Sequence, residues 1–215
     1  MKKQILCLLL MGTFLFSPDT LWAQAKIKVA CVGNSITEGV GVAKGKTYPD
    51  QLQALLGDKY EVRNFGISGR TLLKKGDNPY WNEARYTEAL EWQPDMVIIK
   101  LGTNDSKPQN WKWKNEFRKD YIAFINSFKS AANKPAIYVC TPIPVFEDRW
   151  GITESIVRNK IIPNAKKAAR KTGGKVIDLY TPFIGKKDLT LDGVHPNAEG
   201  YTLLAGEVYK GLLPR

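Results

Sequence analysis

The chain has 215 residues, 43% of them hydrophobic and 25% charged, with a formal charge of +11 and a single histidine. That length suits one domain with a substantial core rather than two. The basic excess favours anionic surroundings, but the Lys and Arg residues are scattered, with neither zinc-finger spacing nor a basic heptad region, which argues against nucleic acid; solvated lysines on helices are the ordinary reading, and acidic polysaccharides or lipid headgroups are the surfaces an exported basic protein could meet.

Lys2 and Lys3 precede an apolar run from Ile5 to Phe16, and Ala23-Gln24-Ala25 fits a small-x-small cleavage site. Residues 1–25 therefore read as a signal peptide and 26–215 as the working domain, exported to the periplasm or secreted. The apolar run is too short to span a membrane comfortably and no second one is long enough, so no integral membrane segment is expected after cleavage.

Lys26 to Val32 is a short β-branched run ending at Gly33, as in a strand buried on both faces, and it delivers Asn34-Ser35 to its carboxyl end. Thr47 to Leu56 reads as an amphipathic helix. Tyr60 to Phe65 is a second strand, followed by the loop Gly66-Ile67-Ser68-Gly69. Leu72 to Gln93 is irregular at first, then helical from Glu83 to Glu91. Met96 to Leu101 forms a third strand that hands over to Gly102-Thr103-Asn104-Asp105. Phe117, Tyr121, Phe124, Ile125 and Phe128 recur at helical spacing and mark a core-facing helix.

Ala136 to Cys140 is a fourth strand, and Pro142 and Pro144 keep the loop after it out of helix. Thr153 to Thr172 is a long basic helix that Pro163 interrupts. Val176 to Leu179 is a fifth strand, Pro182 to Leu191 a loop and Ala198 to Leu212 a closing helix. This alternation of strands and helices is the pattern of a parallel sheet covered on both faces. Cys31 and Cys140 lie inside buried runs and read as buried thiols, although export permits a disulfide.

In an open parallel sheet, ligands bind outside the carboxyl ends of the strands. That rule gathers Ser35, Gly69, Asn104 and the loop Asp192-Gly193-Val194-His195-Pro196 on one edge. A hydroxyl to attack, an imidazole to accept its proton, a carboxylate to orient the ring and donors for an oxyanion are the parts of acyl transfer. Taken singly, each has a duller reading: Ser35 as a helix cap, Gly69 as a turn, Asn104 as an Asx-turn residue and His195 as a solvated loop residue. Asp192 is the nearest partner for His195, with Asp188 as the other carboxylate in the loop. Val40-Gly41-Val42-Ala43-Lys44-Gly45-Lys46-Thr47 nearly matches a phosphate-binding loop, but Val40 replaces its first glycine and it starts well after the strand. A Gly-x-Ser-x-Gly elbow fails because Thr37 stands two residues after Ser35.

Gly33-Asn34-Ser35, Gly69, Gly102-Thr103-Asn104-Asp105 and Asp192-Gly193-Val194-His195-Pro196 resemble, in order and across nearly the whole domain, the four sequence blocks of the SGNH (GDSL-like) hydrolase family. The resemblance implies a flavodoxin-like three-layer α/β/α fold on a five-stranded parallel sheet. It implies Ser35 as nucleophile, His195 as base, Asp192 as its partner, and an oxyanion hole from the Ser35 and Gly69 amides and the Asn104 side chain. Many members carry Asp before the nucleophile; Asn34 resembles other branches, including bacterial carbohydrate O-acetylesterases. Asn34 itself reads as a structural residue that bonds across the loop to hold Ser35. A serine esterase acting on O-acetyl esters of carbohydrates or sialic acids follows, with a lipolytic lysophospholipase or thioesterase and a non-catalytic glycan-binding module as alternatives.

No metal or cofactor is required, and one His with two isolated Cys offers no ordinary zinc site. Among the aromatic residues clustered around the Asn104 block, Trp111, Trp113 and Trp81 are the candidates for stacking on a sugar ring, against the alternative of core packing.

Overall fold

Five β-branched and apolar runs lie side by side as β1 (Ile27–Gly33), β2 (Tyr60–Gly66), β3 (Met96–Lys100), β4 (Ala136–Cys140) and β5 (Lys175–Ile177). They form one parallel sheet in the order β2-β1-β3-β4-β5 in a computed structural model that describes residues 25–213. The expected signal peptide, apart from Ala25, lies outside the described residues. Alternate residues of each strand face opposite sides: Ala30, Val32, Val97 and Ile99 enter one core, and Val29, Cys31 and Ile98 the other.

Among the described residues, eight α-helical segments lie between or after the strands: α1 (Ser35–Glu38), α2 (Tyr48–Leu56), α3 (Ala84–Glu91), α4 (Pro108–Trp111), α5 (Lys114–Lys129), α6 (Glu154–Ile156), α7 (Ile162–Lys171) and α8 (Ala198–Leu212). Helices α2 and α8 bury Leu52, Tyr201, Leu204 and Val208 on one face of the sheet. Helices α3, α5 and α7 bury Ala89, Phe124, Phe128 and Ala168 on the other. The result is the three-layer α/β/α fold. Phe124 is fully buried and meets the rings of Tyr80, Trp81, Tyr86 and Phe128; a buried ring of that kind contributes roughly 3–5 kcal/mol against truncation to Ala.

Local chemistry sets the ends of the elements. Thr47 and Asp50 form a reciprocal capping box at the start of α2, so Thr47 serves a helix end rather than a phosphate loop. The fifth strand is shorter than its sequence predicts because Thr141 Oγ1, not a ladder carbonyl, accepts the amides of Leu179 and Tyr180. Pro163 does not stop the basic helix. A π turn over Val157–Ile161 runs directly into α7, of which Pro163 is the second residue, so the wider turn sits where the proline ring would meet the preceding carbonyls. The predicted loop after β5 holds two short 3-10 turns, Thr181–Phe183 and Lys187–Leu189.

Cys31 and Cys140 are free and buried. They sit on β1 and β4, two strand spacings or roughly 10 Å apart, beyond the reach of a disulfide. Burial pushes both thiols up, Cys140 to about 12. The strand order reverses direction between β1 and β3, which opens a crevice at their carboxyl ends.

Candidate active site

Ser35 opens α1 directly after β1. Asn34 Oδ1 accepts the Ile36 amide at 3.2 Å and caps the helix, so the side chain bonds locally rather than across the loop. Gly33 lets α1 press onto the sheet, since a Cβ there would lie 2.0 Å from Thr37 Oγ1.

The partner group arrives from the far end of the chain. Asp192 Oδ1 accepts the amides of Val194 and His195 at 2.9 and 2.7 Å, folding the loop back on itself. Its Oδ2 lies 2.8 Å from His195 Nδ1, and His195 Nε2 lies 2.9 Å from Ser35 Oγ. A neutral imidazole has one N–H; with Nδ1 donating to the carboxylate, Nε2 is the acceptor facing the serine hydroxyl. Burial works to raise the Asp192 pKa, but the His195 amide and ring and the Val194 amide outweigh it and hold the carboxyl below its ordinary value. Asp188 makes no such contact; its backbone carbonyl receives Asn197 Nδ2. Gly193 turns the loop at φ +80°, and a Cβ there would lie 2.7 Å from Glu147 Cβ and 2.8 Å from Glu147 N.

Two more loops complete the edge. Gly69 stands in the left-handed region at φ +77°. Asn104 gives one amide proton to Arg70 O at 3.1 Å, which leaves the other for a ligand. Asp105 ties these loops together by accepting the Leu72 and Leu73 amides at 3.0 and 2.7 Å. Its burial raises the carboxyl to about 7 against the pull of those amides. Glu38 accepts the Ser68 amide at 2.8 Å and the Ser68 hydroxyl, anchoring the Gly69 loop to α1.

Ser35, Gly69, Asn104 and His195 all line one cavity of about 260 Å³, walled by Val40, Trp150, Ile152 and Val194. Trp150 is 58% exposed, and its ring centroid lies 5.5 Å from that of His195. Sequence reading passed over Trp150 because it stands in an irregular loop outside any periodic pattern; the neighbouring Gly151 was the available turn signal.

The three tryptophans proposed from sequence do not line this cavity. Trp81 Nε1 donates to Leu72 O at 2.7 Å and the ring packs on Phe124; Trp111 packs on Phe117; Trp113 lies under the ammonium groups of Lys75 and Lys112. Their half-buried rings cover the core that the neighbouring helices build. A larger depression of about 760 Å³ at the β5 edge, lined by Lys175, Asp178 and Lys210, lies apart from these groups and holds no comparable hydrogen-bonded line.

Residues 31–203 match the profile of the GDSL-like lipase/acylhydrolase family. The chain belongs to that family. An acetylxylan esterase of Xylanibacter ruminicola is 43% identical over 199 residues, covering 83% of this chain and 42% of that protein, so this GDSL-like chain spans less than half the length of that relative. Among solved structures, a carbohydrate acetylesterase from Sinorhizobium meliloti superposes with a TM-score of 0.67 at 22% identity, over 86% of this chain and 97% of that one. An acetylxylan esterase from Geobacillus stearothermophilus superposes at 0.65 and 21% identity, over 89% and 98%. These two likenesses show that the chain shares its fold with those proteins. Among the described residues, no helix is long and apolar enough to cross a membrane.

Proposed function

We propose that this chain is a serine esterase that hydrolyses O-acetyl and other short acyl esters of carbohydrates, sialic acids among them. The observation that carries the reading is the unbroken line from Asp192 through His195 to Ser35 at the wall of a small cavity. In this mechanism Ser35 Oγ attacks the ester carbonyl carbon while its proton passes to His195 Nε2, and ionised Asp192 stabilises the imidazolium. The Ser35 and Gly69 amides and Asn104 Nδ2 hold the oxyanion. Collapse of the tetrahedral intermediate breaks the bond to the sugar oxygen, which takes the proton from His195. Water, deprotonated by the same imidazole, then attacks the acyl-enzyme and releases the carboxylic acid and free Ser35.

The cavity's roughly 260 Å³ lies below the ~300–1,000 Å³ of drug-sized sites and suits an acetylated sugar edge better than a long acyl chain. The 43% identity to an acetylxylan esterase supports the same substrate class. Export to the periplasm or the medium, as residues 1–25 suggest, would give access to such glycans.

The test is hydrolysis of aryl esters of increasing acyl length, together with acetate release from acetylated xylan, pectin and sialosides. We expect acetyl esters to be preferred and Ser35→Ala to lower kcat by at least a thousandfold with its fold intact by circular dichroism. Activity surviving in Ser35→Ala overturns the nucleophile assignment. Preference for octanoyl over acetyl moves the protein to the lipolytic reading, and no hydrolysis by the parent favours a glycan-binding module.

A further inference from the structure

Beside the catalytic cavity lies a groove of about 520 Å³ between two helical ridges. One ridge presents Trp111, Lys114 and Arg118, and the other Ile156, Lys160 and Asn164, each row stepping three or four residues along its segment, which places successive side chains on one face. The two depressions are neighbours by construction. Lys107 and Ile152 line the cavity, and Trp111 and Ile156, each four residues further on, line the groove. The Trp111 amide bonds to Lys107 O at 2.8 Å, so about one helical turn, roughly 6 Å, separates the rims on that side. The Thr153 amide donates to Ser106 Oγ at 3.1 Å and ties the two segments together.

The groove's charge is one-sided. Lys114, Arg118 and Lys160 are exposed, and none of them has a carboxylate within 4.0 Å among the described residues. Nearby acids are engaged elsewhere: Glu116 pairs with Lys75, Asp120 accepts the Lys74 amide, and Glu154 accepts the Val145 amide and the Tyr180 hydroxyl. Asn164 spends one amide proton on Lys160 O and keeps its carbonyl and second proton for a ligand. Three cations, an amide and a half-buried indole form a set suited to a sugar ring that carries a carboxylate.

We propose that this groove is a subsite for an acidic sugar residue, a uronate, on the same glycan whose acyl ester enters the catalytic cavity. The inference rests on the carbohydrate reading above and narrows it to anionic glycans. Arg118 supplies the planar fork that matches a carboxylate, Lys160 faces it from the opposite ridge, and Trp111 offers a surface for the pyranose.

The test is direct binding, which needs no turnover. Ser35→Ala protein is titrated with a xylo-oligosaccharide bearing one glucuronate and with the same oligosaccharide after reduction of the carboxyl group to an alcohol. The acid form is expected to bind about tenfold or more tightly, with an advantage that shrinks in high salt. Arg118→Gln with Lys160→Gln in the same background is expected to erase that advantage. In the protein with Ser35 intact, the double substitution is expected to leave hydrolysis of a neutral aryl acetate unchanged. Equal binding of the two oligosaccharides, binding of neither, or an advantage that survives the double substitution overturns the proposal. Failure of the esterase reading shows separately, as absence of acetate release from every acetylated substrate.

Discussion

At the scale of single residues, the least expected group is Lys100, fully buried on the last position of β3 with no hydrogen-bond partner for Nζ among the described residues. Burial lowers its pKa from 10.5 to about 8. Below about pH 8 both folded and unfolded chains hold the proton, and the folded state bears the full cost of a desolvated ammonium. Between about 8 and 10.5 the folded chain sheds the proton first, so stability rises with pH across that window. Lys100→Met is therefore expected to stabilise the protein at pH 7 by about 2 kcal/mol, or ~4–8 °C in Tm, with a smaller gain at pH 10. Scanning calorimetry at the two pH values checks this, and an unchanged or lowered Tm at pH 7 would contradict it.

Sequence exposed the grouping of Ser35, Gly69, Asn104, Asp192 and His195 because each follows a recognisable strand or falls in the loop with the sole histidine. It could not separate rings that pack from rings that face a ligand. Trp81 and Trp113 lie on or beside amphipathic segments, where aromatic spacing signals burial first, and the isolated Trp150 carries no pattern at all.

Among elements, the loop from Asp192 to Pro196 is held by bonds within itself and to the Phe146–Glu147 segment. Two amides and a ring nitrogen converge on one carboxylate, the Phe146 amide bonds to Gly193 O at 2.8 Å, and Glu147 closes over Gly193. A side chain at Gly193 must displace the Glu147 backbone and adopt a positive φ, and both movements pull His195 away from Ser35. Gly193→Ala is expected to lower kcat/KM at least tenfold with Tm reduced by only a few degrees, because a shift of about 1 Å in a catalytic group costs far more in rate than in stability. Steady-state kinetics beside a melting curve separates the two effects, and full activity would show the loop tolerates the shift.

The strands and the long helices were legible because period-two and 3.6-residue patterns follow from burial. Their ends were not, because they depend on side-chain partners chosen in three dimensions, such as Thr141 at the end of β5 and the π turn that absorbs Pro163.

For the molecule as a whole, the sheet order places Ser35 and His195 together at the crevice beside β1, although they are 160 positions apart in sequence. The segment bearing His195 is irregular, joined to its surroundings by a bridge between Thr190 and Pro196 ahead of α8. Local opening of that segment is expected to precede loss of the sheet. In a urea titration, esterase activity is thus expected to fall at a lower concentration than the far-ultraviolet circular dichroism signal; coincident transitions would mean the segment and the sheet open together.

The same separation matters during biosynthesis. A chain emerging from the ribosome presents Ser35 early, yet carries no imidazole until the fifth strand and the loop beyond have been made. On the esterase reading proposed above, the Ser35–His195 pair is therefore assembled in a single late event, and a half-finished copy lacks the base that the proposed reaction needs.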